Sequence, residues 1–273
     1  MIDTKHLFAT LDEKLIELLR SLDASDWERR TVAKLWTVKD VAAHLLDGNL
    51  RMLSFSRDKF VSKPDREINS YQDLIDYLNQ LNADWVKSAK RMSPVVLADL
   101  LESTGKEYAA HIQTLNDDDT ALFSVAWAGE ETSRNWFHIA REFTEKWHHQ
   151  QQIRQATNRP GILTKELFHP FISTLILGLP HTYRNTQADT DSVVEIEVSS
   201  EIGGKWFLVK TESGWKISEK SDYRITSSII LTPDIAWQLF TKALRPEAVI
   251  DQVEIKGNYD LAYTAMTMIA VMA

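Results

Sequence analysis

Near Asp191 the hydrophobic pattern of this chain changes period, and that change limits the available folds more than any other feature. Upstream, apolar residues recur three and four apart: Leu7, Leu11, Leu15, Leu18 and Leu19 share one face of a helix expected from about Thr4 to Leu22. Downstream, Val194, Ile196 and Val198 alternate with Glu195 and Glu197, as in a strand with one face in solvent. The chain is therefore read as α+β. An antiparallel four-helix bundle over residues 1–185 precedes a smaller α+β domain over residues 186–273, with the polar stretch Tyr183 to Asp191 as linker.

Local signals divide each part further. Thr37, with Asp40 three residues on, opens a second helix that runs to about Asp58. Ser70 with Asp73 opens a third, carrying Leu74, Tyr77, Leu78, Leu81 and Trp85, and Ser93-Pro94 opens a fourth. A further helix starts near Ser133 and ends by Asn158, ahead of Arg159-Pro160-Gly161, and another covers about Thr164 to Leu177. Gly203-Gly204 and Ser213-Gly214 mark hairpin turns before KWFLVK and WKIS. SSIIL and VEIKG add strands, Thr232-Pro233-Asp234 caps a helix to about Leu244, and the apolar segment Leu261 to Ala273 reads as a buried terminal helix.

Composition excludes several functions. With 31 basic and 39 acidic residues, net −8, and no basic stripe, the chain is not a nucleic-acid binder, because phosphate contact needs concentrated Lys and Arg. The N-terminal MIDTKHLFATLDEK has acids and no long apolar core, so no signal peptide is expected. No apolar run reaches the ~18 residues of a membrane span. Cysteine is absent, which accords with the expected cytoplasmic location and removes any protein thiolate as nucleophile or metal ligand. Sulfur chemistry here would need a thiol brought from outside.

The chemistry-bearing segment is His138 to His149, HIAREFTEKWHH. At ~100° per residue, His138, Glu142, Glu145 and His149 fall within an arc of roughly 60°, with Gln152 at its edge. Glu145 and His149, one turn apart, can share an ion. The pattern is not HExxH, so no protease base stands beside the first ligand. A third ligand must come from another helix, and His44 is the best placed, on a stripe with Asp40, Asp47 and Arg51; an aspartate one turn away could orient its ring. Glu142 and Gln152 are expected around the ion as cofactor-binding residues, and Glu142 is also a substitute for Glu145 as ligand. His138 and His148 are assigned to packing or surface, and Trp127 and Trp136 to a pocket mouth. The competing reading makes the whole column a solvated face with i,i+4 pairs. In isolation a mid-helix histidine such as His44 is more often hydrogen-bonded or solvated than ligating.

Two separated segments, LWTVKDVAAHLLDGNLRML and REFTEKWHHQQQIRQATNRPG, resemble the DinB-like metal-binding bundle superfamily, and in particular its mycothiol-dependent maleylpyruvate isomerase group. Trp36, Asp40, His44 and Leu45 match the first motif of that group. Glu145, His149, Ile153, Arg154, Ala156, Arg159 and Pro160 match the second, and Gln152 departs from it where aspartate is common. The C-terminal part more weakly resembles a sterol-carrier-protein-like module. The resemblance implies a divalent metal, usually zinc, held by His44, Glu145 and His149, and a low-molecular-weight thiol as cosubstrate. It implies an enzyme that isomerises, or transfers the thiol to, an electrophilic small molecule. The alternative is a small-molecule or lipid binding module on a structural metal-binding bundle.

Overall fold

A computed structural model describes residues 1–60, 62–220 and 223–271 of the chain. It is an α+β protein whose helical N-terminal part is followed by a smaller sheet-bearing part. The helices of the first part are α1 (Leu7–Ser21), α2 (Ala24–Trp27), α3 (Val38–Met52), α4 (Tyr71–Ala89), α5 (Pro94–Thr114) and α6 (Asn135–Thr157). After α7 (Lys165–Ile176) and α8 (Leu179–Thr182) come β1 (Val193–Val198), β2 (Gly204–Thr211), β3 (Gly214–Ser218), β4 (Ile225–Leu231), α9 (Pro233–Phe240), β5 (Glu254–Gly257) and α10 (Tyr259–Met266). These elements form two compact units. One comprises Thr4–Leu122 and Glu145–Ile162; the other comprises Met1–Asp3, Phe123–Thr144 and Leu163–Val271.

In the helical unit, α1 buries the leucine face read from the sequence: Leu7, Leu11, Leu15, Leu18 and Leu19 are all buried, with Phe8 beside them. Leu15, Leu18 and Leu19 join Val38, Val41, Leu45 and Leu46 of α3, Leu97 and Leu101 of α5, and Ile153 of α6 in one core. Burying such a side chain contributes roughly 1.5–3 kcal/mol, so this core is the main stabilising element of the bundle. At the start of α3 the Asp40 amide donates to Thr37 Oγ1 at 3.3 Å, and the Thr37 amide donates to Asp40 Oδ2 at 3.0 Å. Both halves of a capping box are thus present, satisfying two otherwise orphaned donors. The expected continuation of α3 to Asp58 takes the form of a π-helical turn over Leu53–Arg57. Helix α4 buries less than its pattern suggests. Only Val86 and Ala89 are fully buried and Leu81 is exposed, because its C-terminal end makes the firm contact, where Trp85 Nε1 donates to Ala43 O at 2.7 Å.

A buried polar network crosses this core. Lys146 Nζ donates to both carboxylate oxygens of Asp12, at 2.9 and 3.1 Å, and to Asn49 Oδ1 at 2.7 Å. Asn49 Nδ2 in turn donates to Thr104 Oγ1 at 3.0 Å, and the ammonium lies 4.5 Å from the Tyr108 ring centroid. The network therefore ties α6 to α1, α3 and α5. Gly105, in mid-α5 at a cost of about 1 kcal/mol relative to alanine, leaves space for it: a Cβ there would lie 2.9 Å from Asp12 Oδ2.

In the other unit the five strands run in the order β3-β2-β1-β4-β5. The pairs β1–β2, β2–β3 and β4–β5 are antiparallel, while β1 and β4 are parallel, with Ile196 opposite Ile229. Val194, Ile196 and Val198 point into the core as their alternation requires. Helix α9 ends at Phe240 rather than near Leu244, because Lys242 takes a left-handed conformation at φ 64°. The terminal helix spans Tyr259–Met266 and stops short of the apolar tail; Met272 and Ala273 of the expected helix lie outside the described residues.

Candidate metal centre

Helix α6 is polar in sequence yet buried on nearly every side. His138, Lys146, His148, His149, Gln150, Gln151, Gln152 and Arg154 are each below a tenth exposed. The solvated-face reading of the His138–Gln152 column is thereby overturned: His138 is 3% exposed, His149 8% and Gln152 5%. Buried polar groups are ordinarily hydrogen-bonded. Arg154 donates to Arg159 O and Pro160 O at 3.1 Å and to Lys14 O at 2.9 Å. The helix stops at Thr157 because Asn158 turns left-handed at φ 53°.

On the face of α6 in the helical unit, Glu145 and His149 stand one turn apart, with Glu145 Oε2 3.6 Å from His149 Nε2. His44, from mid-α3, completes the group. One ligand-type atom from each of His44, Glu145 and His149 lies within 4.8 Å of the other two. Bonds of about 2.0–2.2 Å to a shared tetrahedral ion require ligand–ligand edges of roughly 3.3 Å. The Glu145–His149 separation is close to that, and modest side-chain rotation brings His44 in. The imidazoles of His44 and His149 meet edge-on with centroids 4.6 Å apart, and Trp36 lies 4.9 Å from His44 and 6.2 Å from His149. His148 lies against His149 at 3.9 Å.

Electrostatics favour the ligating form of His44. Its pKa is held well below the ordinary imidazole range, chiefly by burial, with His149 and Arg51 adding to the effect and Glu145 opposing it. The ring is therefore neutral at physiological pH, as a metal ligand must be. His44 Nδ1 is shielded from solvent and has no hydrogen-bond partner among the described residues. A buried, unpaired ring nitrogen beside a carboxylate and a second imidazole fits a divalent cation, and a two-histidine, one-glutamate donor set is common for catalytic zinc. The Glu145 side chain is 26% exposed, so the cluster keeps access to solvent.

Other expected participants are placed differently. Asp40 does not orient His44, because its carboxylate is taken by the α3 capping box; Asp47 pairs with Arg51 at 2.9 Å. Glu142 is not a member of the three-residue group: its Oε1 lies 2.6 Å from Arg141 Nη2 and 4.0 Å from His138 Nδ1. Gln152 lies against His149, its Oε1 3.0 Å from His149 Nδ1. Trp127 and Trp136 pack around Phe137, with centroids 5.8 and 5.1 Å away. The aromatic ring beside the cluster is instead Trp36, which sequence reasoning treated only as part of a motif. Its position just before the Thr37 cap, about two turns from His44, was the signal available.

A bundle that gathers two histidines and a glutamate from two helices defines the class of protein to which this chain belongs. Residues 8–154 match the family described as the mycothiol maleylpyruvate isomerase N-terminal domain, and the chain is a member of that family. Two similar solved structures are the mycothiol-dependent maleylpyruvate isomerase and a mutant of it. Each is 10% identical, with a TM-score of 0.49; the mutant's alignment covers 88% of both chains and the other's 86%. No curated protein gives a significant match. Among the described residues, no helix is long and apolar enough to cross a membrane.

Proposed function

We propose that the chain is a metal-dependent enzyme that uses a low-molecular-weight thiol, of the mycothiol class in the family's name, to isomerise or add to an electrophilic small molecule. The observation that carries this reading is the convergence of His44, Glu145 and His149 within 4.8 Å in a member of that family. These three residues would hold zinc or a similar divalent ion. When bound, such an ion supplies a Lewis-acid position that favours the thiolate over the thiol at neutral pH. His44 and His149 bind through neutral nitrogens, and Glu145 contributes the negative charge that offsets part of the cation's. Glu142, three residues before Glu145 on α6, and Gln152 are proposed to border the cofactor position. Trp36 supplies an apolar wall that excludes water from one side. Isomerisation then follows from reversible addition: the thiolate sulfur bonds to one alkene carbon while the π pair moves onto the conjugated carbonyl oxygen as an enolate, the resulting single bond rotates, and collapse of the enolate expels the thiolate and restores the alkene in the other geometry. The thiol is regenerated, so atoms and electrons balance.

The test is turnover of maleylpyruvate by metal-loaded protein, with and without mycothiol. The reading requires activity only when both metal and thiol are present. Full turnover in thiol-free buffer would refute it and indicate hydration or hydrolysis. Of the alternative, a small-molecule or lipid binding module, the lipid form gains little support, since a cavity of about 360 Å³ in the sheet-bearing unit is lined mainly by polar side chains such as Thr186, Asp189, Ser192, Thr226 and Asn258.

The division at residues 185/186, with a sterol-carrier-protein-like module over 186–273, is part of the same proposal. It is supported by the exposed stretch Arg184, Asn185, Gln187, Asp189 and Thr190 ahead of β1. Limited proteolysis cutting first between Tyr183 and Asp191 is the expected result, and first cleavage inside β1–β3 would count against it.

A further inference from the structure

We propose that Gln152 is a positioning residue that selects the tautomer of His149, and so decides which ring nitrogen faces Glu145 with a free lone pair. This rests on the metal reading above and adds to it. Gln152 sits three residues after His149 on α6, on the same face. Both residues are buried, at 5% and 8% exposure, so the contact between them is shielded from water. The Gln152 Oε1 atom lies 3.0 Å from His149 Nδ1. An amide oxygen only accepts, so the proton of a neutral His149 must sit on Nδ1. The other nitrogen, Nε2, then carries its lone pair toward the cluster, 3.6 Å from Glu145 Oε2. With the opposite tautomer, Nε2–H would point at the ion position and His149 would not be a ligand there.

The choice of glutamine has a second consequence. Outer partners of ligating histidines are often carboxylates, which raise ligand basicity and add charge. A neutral amide orients the ring without adding a second negative charge beside Glu145. The site therefore keeps one formal negative charge, and a bound divalent ion leaves it with net positive charge available to an anionic cosubstrate. Gln152 is the hydrogen-bond partner of His149 Nδ1 among the described residues, so removing the acceptor removes the tautomer selection. Losing such an outer partner typically costs 10–100-fold in metal affinity.

The experiment has two readouts, one of which needs no metal. In metal-free protein labelled with ¹⁵N-histidine, the His149 nitrogens at mildly alkaline pH report the tautomer directly. The wild type is expected to show Nδ1–H with an unprotonated Nε2. Gln152→Leu should shift the ring toward the Nε2–H form favoured by free imidazole side chains, while Gln152→Glu, which keeps the acceptor, should retain Nδ1–H. Zinc affinity measured against a competing chelator should fall about 10–100-fold in Gln152→Leu and be held or raised in Gln152→Glu. A wild type in the Nε2–H form, or a Gln152→Glu ring that loses Nδ1–H, would overturn the proposal, and neither result depends on Gln152→Leu folding. Equal zinc affinity in wild type and folded Gln152→Leu would also overturn it. If the tautomers behave as expected but the wild type binds no zinc, the metal reading fails while the orienting contact stands.

Discussion

Replacing Lys146 by methionine should destabilise the helical unit by about 3–5 kcal/mol, the cost of leaving one member of a buried ion pair alone. Lys146 and Asp12 side chains are 8% and 13% exposed, and the ammonium makes three hydrogen bonds between 2.7 and 3.1 Å. Methionine matches the aliphatic stem in volume, so the cavity contribution is small. What remains is an unpaired Asp12 carboxylate and an Asn49 Oδ1 without its donor; the latter alone costs about 1–3 kcal/mol. Water reaching the slightly more open Asp12 places the expected total near the lower end. Removing both charges, as in Asp12→Leu with Lys146→Met, should recover most of the loss and leave only the Asn49 penalty. Urea unfolding of the metal-free wild type, both single variants and the double variant measures the coupling. A loss below about 1 kcal/mol for Lys146→Met, or a double variant costing the sum of the singles, would show that the network is not a buried, coupled pair. Because it ties α3 to α6 near the ligands, Lys146→Met should also weaken zinc binding even where the protein remains folded.

Acid stability should fall through His138. Burial, reinforced by the Arg141 guanidinium 2.7 Å from Nδ1, pushes its pKa down to about 4, below the ordinary 6.5. Between those values the unfolded chain binds a proton that the folded protein does not, so stability drops as pH falls from 6.5 towards 4. The loss between pH 7 and pH 5 is about 2 kcal/mol, and His138→Asn, which keeps an acceptor, should remove it; a urea midpoint with unchanged pH dependence in that variant would refute this. Thr37→Ala, which deletes half of the α3 capping box, should cost about 1 kcal/mol by the same assay, and no measurable change would show the box to be energetically idle. Because the chain has no cysteine, treatment of the protein with a thiol alkylator followed by its removal should leave thiol-dependent turnover intact; inactivation would place an essential nucleophile elsewhere in the chain.

The leucine face of α1, the Thr37–Asp40 box and the strand alternation of β1 were legible because each is a local pattern whose partner is simply core or backbone. The pairing of Glu145 with His149 was legible for the same reason, since one turn of helix brings them together whatever surrounds it. Burial of α6 was not. Its many polar residues give no apolar stripe, and only tertiary packing, with Asp12, Asn49 and Lys14 O supplied from other helices, makes those side chains internal. Asp40 was read both as the capping-box partner of Thr37 and as one aspartate that could orient His44, and the capping box holds its carboxylate. Trp36 was read only as part of a motif and not as a neighbour of His44 and His149, because a loop residue before a cap carries no periodicity. The end of α9 depended on the backbone conformation of Lys242, for which lysine is no signal.

The central claim is that His44, Glu145 and His149 bind one ion together. Equilibrium dialysis of the intact protein against zinc, with bound metal counted per chain, tests it most directly. The account predicts one tightly held ion in the wild type, loss of tight binding in each of His44→Ala, Glu145→Ala and His149→Ala, and retention in His138→Ala and His148→Ala. A wild type that holds no ion, or any of the three ligand variants holding its ion as tightly as the wild type, would contradict it.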